Sequence, residues 1–361
     1  MKSAPQRRHR LVLLTSSFYP VEGGAERQLR TVLGSLHEDI DTSVVTRNTG
    51  AQLPKDVHDT PEELRVVRVG WPPLFRGRLK ALGQIYFLTV GTIRAIQAKP
   101  ETVLSLQLGA ASTAASIAAR STSASHIIRL TGGARMGARS EPVARSQKWP
   151  SRLHMRWITK GATLVAPGRH LLRDAEEHLP STLSGRFYVP NAVTDCASSA
   201  SNIGVSGDVL WYHRKDATEA SQQLLLHLAN RYPKARFTVI GRELPSAPSN
   251  TVNLGWVDDV RGVCARHRVL LNTTLFEGMP NVALQALAAG CRVLGVKNNA
   301  MMELMDSFPD NVVVSDPYDP EGFSDKLGSL LSLPRGAAQS VPDTESVRVL
   351  WREVIKGTKE K

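Results

Sequence analysis

The sequence predicts an α/β protein built from two doubly wound parallel sheets, and three observations lead to this fold class. Short apolar runs rich in β-branched residues alternate with helical patterns along the whole chain, which is typical of βαβ units. The length of 361 residues exceeds the size at which a single hydrophobic core usually keeps growing. A stretch rich in Ser, Ala and Gly, from Ala197 to Gly207, divides the elements into two nearly equal halves.

The apolar runs predict strands in both halves of the chain. In the first half the predicted strands are Leu11–Thr15, Ser43–Arg47, Arg65–Val69, Thr102–Leu106, His126–Leu130, Thr163–Ala166 and Phe187–Val189. In the second half they are Val209–Tyr212, Phe237–Ile240, Thr251–Leu254, Val269–Asn272, Arg292–Val296 and Asn311–Val314. The last stretch carries apolar residues at helical spacing, which predicts a terminal helix with one apolar face.

These elements predict three parts of the chain. Residues 1–195 form a Rossmann-like N-terminal domain, and residues 205–340 form a Rossmann-like C-terminal domain. Residues 341–361 form a C-terminal helix that we expect to pack back across the domains.

The chain lacks the sequence signals of a membrane-spanning or disulfide-rich protein. Three arginines precede the first apolar run, as in a signal peptide, but that run spans only Leu11–Leu14 and is predicted as a strand. No apolar tract approaches the length that crosses a bilayer. The three cysteines lie far apart without metal-ligand spacing, so we predict neither a disulfide framework nor a zinc site, and we expect a cytoplasmic protein.

The net charge of +12 is concentrated in one segment of the first half. Residues 71–160 contain fourteen Lys and Arg against two Glu, so the rest of the chain is neutral. Such a field attracts an anionic membrane, phosphate-bearing ligands or nucleic acid. Aromatic residues are few and no nucleic-acid-binding motif accompanies the charge, so no nucleic acid partner is expected.

Two glycines follow the first predicted strand and open a helix. Gly23 and Gly24 allow the backbone to approach a ligand, and the amides of the helix start suit an anion. A turn that needs two flexible residues explains the same pattern, and both interpretations stay open. The GxGxxG spacing of a dinucleotide fold is absent, which disfavours an NAD site.

The segment from Phe276 to Gly290 carries the sharpest pattern in the second half. Pro280 stands where the first helical turn is predicted to begin, which leaves the following amides for a phosphate. Glu277, just outside the helix, can accept hydrogen bonds from sugar hydroxyls. An ordinary βαβ unit whose loop contains Glu and Pro remains the alternative.

Three motifs together resemble the family-4 glycosyltransferases in their order and spacing. They are Pro-x-x-Gly-Gly-x-Glu at residues 20–26, Val-Pro-Asn-Ala-Val at residues 189–193, and Glu-Gly-Met-Pro-Asn followed by Gln-Ala-Leu-Ala-Ala-Gly within residues 277–290. The resemblance spans almost the whole chain. It implies a GT-B architecture, in which an acceptor-side domain and a nucleotide-sugar-binding domain face a cleft.

The resemblance assigns the donor site to the second half. It implies that Glu277 holds the transferred sugar and that Glu277 and Arg214 are the most consequential side chains. The implied donor-binding positions are Gly23, Gly24, Lys215, Gly278, Met279, Pro280, Asn281, Val282 and Gln285.

This sequence departs from the family pattern at three places. Gln285 stands where the family has a Glu that binds the ribose; an amide can still hydrogen-bond there, so weaker ribose binding, a changed nucleotide preference and lost activity all remain open. Arg214 matches a family arginine on the leaving diphosphate, but His213 replaces the preceding glycine. Lys215 is the only nearby substitute for a family lysine, and neighbours on a strand point to opposite faces.

The third departure follows the strand His126–Leu130, where relatives commonly place a histidine. Here a glycine-rich basic loop stands instead, with the candidate acceptor-side residues Thr131, Gly132, Gly133, Arg135 and Arg139. Such a loop can cradle a phosphate, and it can equally be a solvated surface loop.

The resemblance implies a retaining hexosyltransferase that needs neither a metal nor a cofactor besides its nucleotide-sugar donor. The implied acceptor is a glycan, a lipid-linked sugar or a small molecule, in cell-surface polysaccharide or glycolipid synthesis. A weak or inactive relative that binds nucleotide or glycan as a partner subunit is the alternative. Residues 149–160 mix apolar and basic side chains, which fits either a packed helix or peripheral attachment to an anionic inner leaflet.

Overall fold

The computed structural model describes residues 7–20, 23–50, 64–75, 77–131, 149–179, 183–193, 206–214, 217–275, 277–317 and 319–357. The chain divides into two compact units. The first consists of residues 1–191 together with 344–361, and the second of residues 192–343.

Within the described residues, the first unit is a seven-stranded parallel sheet covered by helices. Its strands are β1 (His9–Leu14), β2 (Ile40–Arg47), β3 (Leu64–Val69), β4 (Thr102–Leu106), β5 (Ser125–Arg129), β6 (Thr163–Ala166) and β7 (Gly185–Tyr188), in the order β3-β2-β1-β4-β5-β6-β7. Its helices are α1 (Gly24–Ser35), α2 (Lys80–Gln97), α3 (Ala110–Thr122), α4 (Trp149–Thr159), α5 (Arg169–His178) and α11 (Thr344–Gly357). Two 3-10 turns, Pro72–Phe75 and Gly77–Leu79, precede α2.

The second unit repeats this architecture, and its described part has a six-stranded parallel sheet. Its strands are β8 (Val209–His213), β9 (Phe237–Gly241), β10 (Thr251–Gly255), β11 (Val269–Asn272), β12 (Arg292–Val296) and β13 (Val312–Ser315), in the order β10-β9-β8-β11-β12-β13. Its helices are α6 (Glu219–Arg231), α7 (Val260–Cys264), α8 (Asn281–Ala288), α9 (Asn299–Ser307) and α10 (Pro320–Ser332). Apolar side chains from both faces of this sheet pack into two hydrophobic clusters.

The predicted fold class is confirmed. All thirteen predicted strands are present, and their ends differ from the prediction by at most three residues. The prediction succeeds because strands of a parallel sheet are covered on both faces and therefore appear as nearly continuous apolar runs. Central strand β4 shows this burial, since all five of its residues are buried.

The chain passes from the first unit to the second between Asn191 and Ala192, and from the second to the first between Asp343 and Thr344. The predicted domain limits, 195 and 205, lie in a stretch outside the described residues. Helix α11 belongs to the first unit, where it packs against α1. Trp351 and three aliphatic residues on one face of α11 are buried, which is the apolar face that the helical spacing predicts.

A buried arginine lies where β5 ends in the first unit. Arg129 is almost completely buried, and its Nη2 atom donates a 2.6 Å hydrogen bond to Oδ1 of Asn191. Its guanidinium carbon lies 5.1 Å from the ring centroid of Trp351 on α11. Burial lowers the pKa of Arg129 to about 10, so the group stays charged at neutral pH. The interior of this unit therefore holds a cation that depends on one amide oxygen and one indole ring.

We predict that removing the amide destabilises the protein more than removing the charge. Asn191→Ala leaves a buried guanidinium without its acceptor and should lower the free energy of unfolding by about 2–3 kcal/mol. Arg129→Met replaces the cation by an apolar side chain of similar length and should cost less. Urea unfolding of the full chain checks this order, and the double variant should be no less stable than Asn191→Ala alone. Strictly additive losses would contradict the account.

His126 generates a prediction for acid pH. This residue lies on β5, and its Nε2 atom is 3.4 Å from Oγ of Ser105. Burial, together with the charge of Arg120, lowers the pKa of His126 from 6.5 to about 3. Between these values the unfolded chain binds a proton that the native chain does not, so this residue makes the protein less stable as the pH falls from about 6.5.

Between pH 7 and pH 5, wild type should therefore lose about 2 kcal/mol more stability than His126→Gln, at about 1.4 kcal/mol for each pH unit below the unfolded pKa. Urea unfolding at the two pH values measures the difference. Parallel losses in wild type and variant would show that His126 is not the titrating group.

Candidate functional site

The second sheet reverses its strand order between two neighbouring strands. From β8 the chain proceeds through β9 to β10 at one edge, and from β11 it proceeds through β12 to β13 at the other. Strands β8 and β11 pair directly in parallel, so their carboxyl ends lie side by side. In open α/β sheets ligands bind outside the carboxyl ends of the strands at this reversal point. The loops after β8 and β11 are therefore the expected ligand site of this unit.

A charged side chain from one of these loops meets a charged side chain from the other. Arg214 follows β8 and Glu277 follows β11. Nη1 of Arg214 lies 2.5 Å from Oε1 of Glu277. The Glu277 side chain is 10% exposed and that of Arg214 is 34% exposed, so the carboxylate is the inner partner. The fold thus brings together the two residues that the sequence singled out.

Asn272 fixes the second oxygen of the same carboxylate. This residue ends β11, and its Nδ2 atom donates a 3.2 Å hydrogen bond to Oε2 of Glu277. Its own Oδ1 atom accepts from the backbone N–H of Thr274 at 3.1 Å, which sets the orientation of the amide. The loop is held on its other side by Asn298, whose Nδ2 atom donates to the carbonyl of Thr274. Asn272 was not predicted as a site residue, because an asparagine after a strand is also a common turn residue.

The strand beneath Arg214 is anchored by two aromatic side chains. Trp211 and His213 stack with their ring centroids 4.5 Å apart, and Trp211 donates from Nε1 to Oγ1 of Thr273 at 3.0 Å. His213 hydrogen-bonds through Nδ1 to the carbonyl of Arg242 at 2.9 Å, and burial lowers its pKa. The histidine that replaces the family glycine is therefore buried in the unit as a neutral anchor for the end of β8. Arg214 itself lies beyond the strand.

Helix α8 begins beside Glu277 without a side-chain cap. Pro280, where the first helical turn was predicted to begin, is the residue before the first helical residue. It has no side-chain acceptor, while the other described helices of this unit each begin with a capping Thr, Asp or Asn. The first amides of α8, those of Asn281 and Val282, therefore lie at a positive helix end suited to an anion.

The remaining donor-binding candidates of this unit lie around this helix. Gly278 and Pro280 are buried, and Met279 is partly buried and packs against the hydrophobic cluster of the unit. Gln285 is half-buried on α8, one helical turn beyond Asn281. Lys215 lies outside the described residues.

The glycine pair of the first unit lies at the start of α1. Gly23 precedes α1, and its N–H donates to Oε2 of Glu26 at 3.1 Å, while Ser17 donates to Oε1 at 2.9 Å. A Cβ atom at Gly23 would lie 2.9 Å from Oε2 of Glu26, so a larger residue would require this flexible carboxylate to shift. Gly24 is the first residue of α1. Glu26 places negative charge at this helix end, which disfavours an anionic ligand at the same amides.

The acceptor-side candidates are described only at their first residue. Thr131 follows β5, and its hydroxyl accepts a hydrogen bond from Nε2 of Gln107, which lies just beyond β4. Gly132, Gly133, Arg135 and Arg139 lie outside the described residues. Within the described ranges, no group of three or more His, Cys, Asp or Glu side chains is arranged to hold a metal ion.

One family model matches part of the chain. Residues 200–333 match the family model of Glycosyl transferases group 1, a span that contains Arg214, Glu277 and Gln285. A comparison with curated protein sequences finds no match.

Solved structures establish the fold. Anabaena HepE in complex with UDP and glucose is 14% identical, with a TM-score of 0.70 over 97% of this chain and 100% of that chain. Sucrose-phosphate synthase from Thermosynechococcus elongatus is 10% identical, with a TM-score of 0.73 over 97% of this chain and 99% of that chain. WaaG, a glycosyltransferase involved in lipopolysaccharide biosynthesis, is 15% identical, with a TM-score of 0.62 over 97% and 95%. The chain has the fold of the GT-B glycosyltransferases.

The contact between Asn272 and Glu277 generates a stability prediction. Asn272→Asp removes the hydrogen-bond donor and places a second carboxylate against the first, so the second unit should lose about 2–3 kcal/mol at pH 8. The loss should shrink at pH 4, where the two groups can share a proton. Hydrogen exchange of peptides from β8 and β11, measured by mass spectrometry, reports this unit separately.

A matched control is Asn253→Asp. Both polar atoms of the Asn253 side chain hydrogen-bond the backbone of Leu244, one accepting and one donating, and neither contacts a carboxylate. This variant should lose less than about 1 kcal/mol with no dependence on pH. Equal losses in the two variants would mean that Asn272 does not act through Glu277.

Proposed function

We propose that this protein is a nucleotide-sugar-dependent glycosyltransferase whose donor site lies in the second unit. The observation that carries the proposal is the contact of Arg214 with Glu277 at the reversal point of a parallel sheet, beside the uncapped start of α8. The match of residues 200–333 to the family model of Glycosyl transferases group 1 supports it. HepE, which shares the fold, was solved with UDP and glucose and supports a nucleotide sugar as the ligand class.

The chemistry of these groups suits a sugar diphosphate. The Arg214 guanidinium and the amides of α8 would hold the diphosphate and stabilise the charge that grows on it as the bond to the anomeric carbon breaks. Glu277, oriented by Asn272, would accept hydrogen bonds from the sugar hydroxyls. The oxygen of the acceptor hydroxyl then takes the place of the phosphate oxygen, and its proton leaves with the nucleotide. Retention of the anomeric configuration and independence from metal are part of the proposal.

Donor binding would exchange one partner of Arg214 for another. The carboxylate of Glu277 and the donor diphosphate are both anions that suit the same guanidinium. A diphosphate that takes Arg214 leaves Glu277 with the Asn272 amide and with whatever hydroxyls the sugar provides. A sugar lacking those hydroxyls would leave a nearly buried carboxylate poorly paired, which costs about 1–3 kcal/mol and selects for the correct sugar.

The second candidate function is a weak or inactive relative that binds nucleotide or glycan as a partner subunit. Gln285 favours it, because this half-buried amide stands where the family resemblance implies a ribose-binding Glu. A Gln donates as well as accepts, so a ribose can still be held there, with a changed nucleotide preference. Binding without turnover separates this candidate from the enzyme.

The acceptor that we propose is a glycan, a lipid-linked sugar or a small molecule, in surface polysaccharide or glycolipid synthesis. The +12 charge of residues 71–160 supports an acceptor or a surface that carries phosphate. We place the protein in the cytoplasm, at the inner face of the cell membrane. WaaG, a glycosyltransferase involved in lipopolysaccharide biosynthesis, shares the fold and is consistent with such a role.

A panel of UDP-, GDP- and ADP-sugars tests the proposal by thermal shift and by hydrolysis, in buffer with EDTA. One donor should raise the melting temperature by several degrees, since saturating ligand stabilises by about 3 kcal/mol, and it should be hydrolysed slowly. Glu277→Gln should bind that donor but turn it over about a hundredfold more slowly. Arg214→Gln should lose both binding and turnover. Gln285→Glu should change the preferred nucleotide.

The matched control is Glu345→Gln on α11, which removes a carboxylate that pairs with Arg348 at 2.6 Å in the first unit. It should leave binding and turnover unchanged. A donor that binds wild type without turnover, and is hydrolysed only by Gln285→Glu, would establish the partner-subunit function instead. The enzyme proposal fails if no nucleotide sugar stabilises wild type, or if Glu277→Gln retains full turnover.

A further inference from the structure

Exposed apolar side chains coincide with the basic segment of the chain. Among the described residues, seven of the twelve exposed large apolar side chains lie between residues 71 and 160, the segment that holds the whole net charge. They are Trp71, Leu79, Leu82, Ile85, Ile93, Leu153 and Trp157. Single exposed apolar residues are ordinary, but a concentration of them next to one sign of charge indicates an interaction surface.

Helix α2 carries the longest part of this surface on its outward side. Leu82, Ile85 and Ile93 are 57%, 61% and 48% exposed, and their spacing of three and eight residues keeps them on one side of the helix. Gly83 and Phe87 face the opposite way and are buried against the unit. Helix α2 therefore presents aliphatic side chains both to the core and to the solvent, where a helix on the surface of a globular protein normally carries polar ones.

Two further apolar residues extend the surface at the start of the helix. Leu79 is the residue before α2 and is exposed. Trp71 is exposed as well, and its ring lies 5.8 Å from that of Tyr86 on α2 in an edge-to-face arrangement. An amphipathic indole at the edge of an aliphatic strip is the arrangement that aromatic residues take at a membrane interface.

The charges along this helix are all positive. Arg78, Lys80 and Arg94 are exposed, and residues 71–100 contain no Asp or Glu. Leu79, the residue before α2, provides no side-chain cap, and the first turn of the helix has no acidic residue. Cations at a helix start oppose the helix dipole, so this placement costs local stability and favours a negatively charged neighbour.

We propose that the α2 surface, defined by Trp71, Leu79, Leu82, Ile85 and Ile93 with the cations Arg78, Lys80 and Arg94, binds an anionic lipid bilayer. The aliphatic strip needs a medium of low polarity, and the flanking cations need anions beside it. A bilayer interface with acidic headgroups supplies both. A second copy of the same surface would bring like charges together. A nucleic acid would leave the aliphatic strip against phosphates.

Helix α4 suits this role less well than α2. Its exposed Trp157 lies under the guanidinium of Arg120, whose carbon is 4.3 Å from the ring centroid. Nη2 of Arg120 also donates to the carbonyl of Trp157 at 2.5 Å. The indole is thus held against the protein by its own cation. No described helix has the length and hydropathy of a bilayer-spanning segment. In the proposed binding mode, α2 therefore lies flat in the bilayer interface.

Lipid binding by the α2 surface would hold the enzyme where a lipid-linked acceptor lies. This purpose rests on the proposed function. The binding itself requires no turnover. Failure of lipid binding and failure of donor hydrolysis are therefore separate results, measured on the same protein.

Flotation of the full chain with phosphatidylcholine vesicles, with and without phosphatidylglycerol, tests the proposal at low salt. Wild type should float only with the anionic vesicles. The variant Leu82→Gln/Ile85→Gln/Ile93→Gln should partition onto the anionic vesicles at least about tenfold less. It lacks the three aliphatic side chains that would be buried in the bilayer interface. Arg78→Gln/Lys80→Gln should bind about tenfold less, with the remainder less sensitive to salt.

Two controls match these changes in chemistry. Val349→Gln removes an exposed aliphatic side chain from α11, and Arg231→Gln/Lys234→Gln removes two exposed cations from the second unit. Both should float like wild type. Wild type that stays in the soluble fraction overturns the proposal, as does equal flotation of wild type and the α2 variants. A dimer that dissociates in the triple variant, without flotation of wild type, overturns it in favour of a second copy.

Discussion

The reversal of strand order between β8 and β11 is the constraint on which the candidate site depends. It places the ends of two strands side by side, although the residues that follow them are 63 positions apart in the chain. Arg214 and Glu277 meet because β8 and β11 pair directly, so the loops that follow them leave the sheet at the same edge. The hydrophobic clusters on both faces of the sheet hold the strands in register, so the core of the unit determines where the two charges stand.

The side chains around the ion pair orient its two charged groups. Asn272 holds the Glu277 carboxylate, and the stacked rings of Trp211 and His213 hold the end of β8 from the other side. These supports are neutral side chains, so they fix the charged pair without competing for it electrostatically. A single buried cation elsewhere, Arg129, shows the contrasting case, in which one amide oxygen and one indole ring compensate a charge that no described carboxylate pairs.

The sequence was sufficient to predict what depends on local pattern. The thirteen strands appear as apolar runs, and Arg214 and Glu277 stand in a recognisable motif order. The contacts that orient them could not be predicted, because Asn272 is equally at home in a turn. The exposed apolar face of α2 could not be predicted from the sequence either. Helical spacing predicts a helix, but it does not show which of two apolar sides packs against the sheet. The same limit applies to Arg129, which at the end of a predicted strand gives no sign of burial.

The most direct measurement of the central claim is a crystal structure of the complex with the nucleotide sugar that stabilises the protein. In the structure, Nη1 of Arg214 lies 2.5 Å from Oε1 of Glu277. We expect the complex to show Arg214 on the diphosphate and Glu277 on the sugar hydroxyls, with Asn272 still bound to the carboxylate. A nucleotide sugar bound elsewhere, with the contact between Arg214 and Glu277 unchanged, would contradict the account.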